Sequence, residues 1–297
     1  MRSNALTEAE VTAHLADVAD YFENANVGLV LTDKDGTVRR ANIAAGRLAG
    51  WPDGSSRDPG ADERSVRELL PAAAWERVTA TTAAGHPLHN LATTFTPAGR
   101  AAVPVVLDVN AAPDGGLRLV VRPGLSAAVP GPEDSDAHAW HATWAQADIS
   151  PLTEAAGDKA AEADELDDFL ENLPAAIHKI VVPGAMARTN QTQLQMLGYQ
   201  ADPDKFLGHI ATEFFPVEAD LVVLSGALLS GTIANFPTLM RRADGSDLPV
   251  RVYSTVRTIN GEWSNTRCFA FYANAADAAD SPVTEQADAA QADADHG

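Results

Sequence analysis

Only one cysteine, Cys268, occurs in the sequence, so no internal disulfide and no multi-thiolate metal site can form; that usage suits a reducing compartment. Cations are scarce as well. With 21 Lys and Arg against 41 Asp and Glu, the formal charge is −20, which opposes approach to phosphate backbones and anionic bilayers. Nucleic acid and membrane are therefore not expected as partners. No apolar run reaches the ~20 residues that a spanning helix needs, and the first residues alternate in charge where a secretion signal needs an apolar stretch. The expected location is the cytoplasm. Aromatics make up 6% of the chain, and alanine fills many apolar places. Neither half carries a phosphate-binding glycine loop, the ATP boxes of a kinase or a helix-turn-helix signature.

What is present is periodic. Thr7 to Glu10 reads as a capping box, followed by Val11, Leu15, Val18 and Phe22 along one helix face. That seam is a candidate surface for a partner helix or a second copy. Two short strands with an Asp33-Lys34-Asp35-Gly36 turn come next, then a helix opened by Asn42, further short helices, and three strands ending near Arg122. From residue 124 to 164 the composition shifts to Ala, Pro, Asp and Ser, a linker that becomes helical from Thr153 toward Leu173. Within it His138, Trp140, His141 and Trp144 cluster, but no third metal ligand accompanies the two histidines. Residues 274–297 read as a disordered acidic tail.

Sliding the sequence by 148 residues lays Phe22–Trp51 on Leu170–Tyr199 without a gap. Asn24 falls on Asn172, Gly36 on Gly184, Asn42 on Asn190 and Gly50 on Gly198. These are turn and cap positions, where backbone geometry selects the residue. The same strand and helix order then runs to Tyr272. The boundaries that follow are an N-terminal helix at 1–19, a first domain at 20–123, the linker at 124–164 and a second domain at 165–273.

Phe22-Glu23-Asn24, Thr32 to Gly36 and Arg40-Ala41-Asn42 resemble the opening of a PAS domain. Leu197-Gly198-Tyr199, Gly208-His209-Ile210, Arg241 to Ser246 and Thr266 to Phe269 resemble its later landmarks, in the form found in bacterial sensory histidine kinases. The resemblance implies an α+β fold: two PAS-like domains, each a five-stranded antiparallel sheet with helices on one face, joined by the linker. It also implies a sensory role, with a small cavity beneath the helices. Pro52 to Gly60 interrupts the first copy, so the second is the better candidate sensor.

For that second cavity the candidate pocket residues are His178, Ile180, Asn190, Met196, Phe214, Leu224, Leu228, Phe236, Leu239 and Cys268. Asn42 and Asn190 read first as helix caps. The cofactor is left open, and none is required by the sequence. The long helix near residues 217–230 lacks the His on which related haem domains rely, and no cysteine motif for a flavin adduct is present. The expected function is thus non-enzymatic signal transduction through a homodimer or a separate output protein such as a sensory kinase. The alternatives are a flavin or haem sensor of redox state or gas, and an enzyme using His178 as base.

Overall fold

The computed structural model describes residues 7–51, 64–124, 159–229 and 232–273. The linker cluster His138, Trp140, His141 and Trp144 and the acidic tail lie outside the described residues. Two compact units form, the first running through Ala175 and taking in Asn190–Thr192, the second comprising the rest.

The first unit opens with helix α1 (Glu8–Glu23), whose Thr7 and Glu10 close the capping box. Strands β1 (Gly28–Thr32) and β2 (Val38–Ala41) follow, then helices α2 (Ile43–Leu48), α3 (Val66–Leu69) and α4 (Ala72–Ala83). Strands β3 (Leu88–Phe95), β4 (Val103–Ala111) and β5 (Leu117–Pro123) complete an antiparallel sheet of order β2-β1-β5-β4-β3. Alternation decides its two faces. Val105, Leu107, Val109, Leu119 and Val121 turn to the core beneath α2 to α4, while Asp108, Arg118 and Arg122 turn away.

Helix α5 (Lys159–Glu171) belongs to this unit and packs along α1. The sequence places this helix at the entrance of the second domain; its apolar stripe is instead spent on α1. Phe22 meets Phe169 edge to face with ring centres 5.4 Å apart, and Leu15, Val18 and Phe22 are fully buried. Val11 is half-buried. Arg40 reaches Glu162 at 3.2 Å and Arg118 reaches Asp168 at 2.6 Å, so charge pairs flank the apolar seam.

Gly36 shows why the first hairpin turns where it does. Its φ of +89° is open to glycine, and the Asp33 carboxylate accepts from the amides of Asp35 and Thr37 at 2.9 Å each. A Cβ at this position would stand 2.6 Å from the Trp75 ring. Gly36→Ala is therefore expected to cost the first unit about 2 kcal/mol, from strain and overpacking together. Urea titration of the full chain checks it, and a loss of a few tenths would show that the ring yields.

The second unit repeats the plan with β6 (Ala176–Val181), β7 (Ala185–Thr189), helix α6 (Gln191–Leu197), two 3-10 turns, helix α7 (Glu218–Leu229), β8 (Thr232–Arg241), β9 (Asp247–Ile259) and β10 (Glu262–Tyr272). Its order, β7-β6-β10-β9-β8, matches the first sheet strand for strand. The 148-residue repeat persists at the level of single bonds. Asn42 Nδ2 donates to the carbonyls of Phe22 and Val27, and Asn190 Nδ2 to those of Leu170 and Ala175, each acceptor displaced by the same 148 positions. Asn24 and Asn172 likewise donate to Asp20 and Asp168.

Candidate functional site

The centre of the second sheet sets the site. In register, Cys268 of β10 stands opposite His178 of β6 on one side and Ser254 of β9 on the other. The three side chains form a row across three strands on the core face, the side that Ala176, Val250, Val252 and Ala270 also occupy. Thr266, two residues back along β10, extends the row. All four are buried: His178 at 1%, Ser254 at 1%, Cys268 at 3% and Thr266 at 0% exposure.

Hydrogen bonds link the row. Ser254 Oγ lies 3.0 Å from Cys268 Sγ, which in turn lies 3.1 Å from Thr266 Oγ1. The Ile180 amide donates to that same hydroxyl at 3.1 Å. His178 Nδ1 is 3.1 Å from Oε1 of the fully buried Gln193. An amide oxygen only accepts, so Nδ1 carries the proton and Nε2 faces the other way, a tautomer assigned from this amide orientation. Gln193 Nε2 points to Met240 Sδ at 3.9 Å, consistent with that orientation.

Burial is the largest influence on both titrating groups here, and alone it would raise the Cys268 thiol and lower the His178 imidazole. The mutual attraction of the pair outweighs it. Together with hydrogen bonds from Ser254 and Thr266 it holds the thiol below its ordinary value, and with Gln193 it lifts the imidazole above its own. Written as thiol and imidazole or as thiolate and imidazolium, the pair carries no net charge.

Above the row lies a cavity of about 280 Å³. Leu221, Leu224 and Leu228 of α7 roof it, Phe215 and Ile233 close its sides, and Pro183, Ile210 and Trp263 stand near its mouth. The half-exposed Ile210 and Trp263, at 39% and 36%, mark the side open to water. Helix α7 is tied to the sheet at its first turn, where the buried Asp220 accepts from Thr238 of β8 at 2.7 Å.

Of the ten residues that the sequence nominates, His178, Ile180, Leu224, Leu228 and Cys268 line this cavity. Met196, Phe214 and Phe236 belong to the surrounding apolar core. Leu239 pairs with Pro249, on the face away from Met240 and Val250. Asn190 is taken up by carbonyls of the chain that enters β6. Ser254, Thr266 and Gln193 are absent from the nominated set, because nothing in their local sequence distinguishes them from strand and helix filler. Among the described residues no group of three or more His, Cys, Asp or Glu could hold a metal, and no helix is long and apolar enough to cross a membrane.

Residues 175–271 match the PAS domain family. No curated protein matches the chain. Solved structures similar to it include the PAS domain of an HTR-like protein from Haloarcula marismortui, at 26% identity over 37% of this chain and 90% of that one, with a TM-score of 0.32. A PAS domain from Colwellia psychrerythraea is 13% identical over 37% of this chain and 95% of that one, at 0.33. A PAS domain of a two-component sensor histidine kinase is 14% identical over 38% and 97%, also at 0.33.

Proposed function

We propose that this chain, whose residues 175–271 belong to the PAS domain family and whose first unit repeats the same five-stranded sheet, is a sensory protein that binds a small molecule in its second unit and signals by protein contact. The observation that carries the reading is the cavity itself, mostly apolar with a few polar groups gathered on the sheet beneath α7, the usual composition of a ligand pocket. Its volume of about 280 Å³ lies just below the range of such pockets, about 300 to 1,000 Å³, and this favours a compact molecule over haem or flavin.

Helix α7 provides the route outward. Its inner side roofs the cavity through Leu221, Leu224 and Leu228, while Val222 and Val223 on its outer side are 70% and 53% exposed. A ligand that shifts the helix changes what the surface presents. The recipient is a second copy or a separate output protein such as a sensory kinase, in the cytoplasm, since the charge of −20 disfavours nucleic acid and anionic membranes. The seam of Leu15, Val18 and Phe22 is covered within the first unit, so α7 is the better partner surface.

Leu224→Trp should fill the cavity with little change in stability, because the added ring occupies space already present. Wild type is expected to take up toluene from water, seen as a raised melting temperature, and the variant to show no rise. A wild type indifferent to toluene, and carrying no small molecule after purification, would defeat the reading.

One arrangement supports an enzyme as the second reading: Cys268, His178 and Gln193 stand as nucleophile, base and orienting group. Turnover of any small substrate that His178→Gln abolishes would establish it.

A further inference from the structure

We propose that the cavity of the second unit takes an uncharged molecule of about ten non-hydrogen atoms, apolar along its length and ending in one hydroxyl or carbonyl group that docks on Ser254, Cys268 and Thr266. This rests on the cavity being a ligand site, and it specifies what that site selects.

The walls exclude charge. Among the described residues no Asp, Glu, Lys or Arg lines the cavity, and its titrating groups there, His178 and Cys268, face each other across β6 and β10 and neutralise one another. A carboxylate or ammonium entering it would lose its hydration and find no counter-ion, a cost that weakens its binding relative to a neutral molecule of the same size. Wholly apolar ligands meet the opposite difficulty. Ser254, Thr266, Cys268 and His178 gather on the sheet wall, while α7 opposite contributes Leu221, Leu224 and Leu228 with the single hydroxyl of Ser225, so a hydrocarbon would lie against the polar row. Hydroxyl, thiol and imidazole can each exchange donor and acceptor roles by rotation or proton movement. The row therefore receives a head group that donates, accepts or does both, provided that it is neutral. This polarity, fixed by three adjacent strands in register, orients the ligand with its apolar end under α7.

Four probes of nearly equal size separate the possibilities: benzyl alcohol, benzylammonium, benzoate and ethylbenzene. Calorimetric titration of the full chain near pH 7.5 gives their affinities. Alkylation of Cys268 by iodoacetamide, read by intact mass, shows whether a bound probe occupies the cavity, because the chain has no other cysteine. Benzyl alcohol is expected to bind about tenfold more tightly than either ion and severalfold more tightly than ethylbenzene, and to slow the alkylation. Ser254→Ala, and separately Thr266→Val, should bring benzyl alcohol down to ethylbenzene, with circular dichroism confirming that each variant folds. If either ion binds as well as the alcohol, or ethylbenzene matches it in wild type, the selectivity proposed here is overturned while the cavity remains a ligand site. If none of the four binds or protects Cys268, the ligand site itself is overturned.

Discussion

Asn42→Ala is expected to cost the first unit about 4 kcal/mol, several times the ~1 kcal/mol of an ordinary helix cap. The difference lies in what the side chain holds. Its Oδ1 accepts from the amides of Ala45 and Leu29 at 2.9 Å each, and its Nδ2 donates to the carbonyls of Phe22 at 3.0 Å and Val27 at 2.9 Å. One amide thus joins the end of α1, the turn into β1, the start of β1 and the first turn of α2, and it is fully buried. Removing it strands two donors and two acceptors away from water, at about 1 kcal/mol each even at the lower end of measured costs. Hydrogen exchange on the full chain should show lost protection in α2 and β1 while β9 and β10 stay protected. A loss near 1 kcal/mol would mean that Asn42 acts only as the cap of α2, and that the carbonyls find water.

The repeat marks this position in the sequence itself, since Asn42 and Asn190 are among the few identities preserved over 148 residues. Legible too were the succession of strands and helices along each unit and the capping box, because each rests on local periodicity or turn chemistry. The candidate site was legible only in part. His178, Ile180, Leu224, Leu228 and Cys268 were found because histidine, cysteine and a leucine stripe are distinctive residue types. Ser254 and Thr266 were not, since their role depends on which residue stands opposite which. Part of that information was nevertheless present. Asn260 and Gly261, with φ of +55° and +81°, make the two-residue turn between β9 and β10, and one irregularity between Trp263 and Asn265 shifts the register so that Ser254 meets Cys268. The turn is visible in the sequence, but the one-residue shift is not, and without it the partner of Cys268 is misassigned. The placement of α5 escaped for a related reason: an amphipathic helix declares that it has an apolar stripe, not which surface will cover it.

The second large effect concerns a pair of charges with no signature in the sequence. Asp108 of β4 and Arg122 of β5 lie on the face of the first sheet that turns away from α2 to α4, with side chains only 3% and 6% exposed and Nη2 to Oδ2 at 2.7 Å. The other carboxylate oxygen accepts from the Asn90 amide at 3.1 Å and stands 3.3 Å from His89 Nδ1. Arg122 also donates to Asn90 Oδ1 at 2.6 Å, which helps to hold Asn90 at its φ of +54° where β3 slips register against β4. Asp108→Ala would leave the guanidinium buried with its counter-charge removed, and is expected to destabilise the first unit by about 3–5 kcal/mol. Replacing the pair together, Asp108→Leu with Arg122→Met, removes both desolvation costs and should return stability to within about 1 kcal/mol of wild type. Urea unfolding of Asp108→Leu, Arg122→Met and the double variant closes the cycle, with Asp108→Ala measured beside them. If the double variant is no more stable than Asp108→Ala, the charges are doing something that apolar packing does not replace, and the bulge at Asn90 is the first place to look for it.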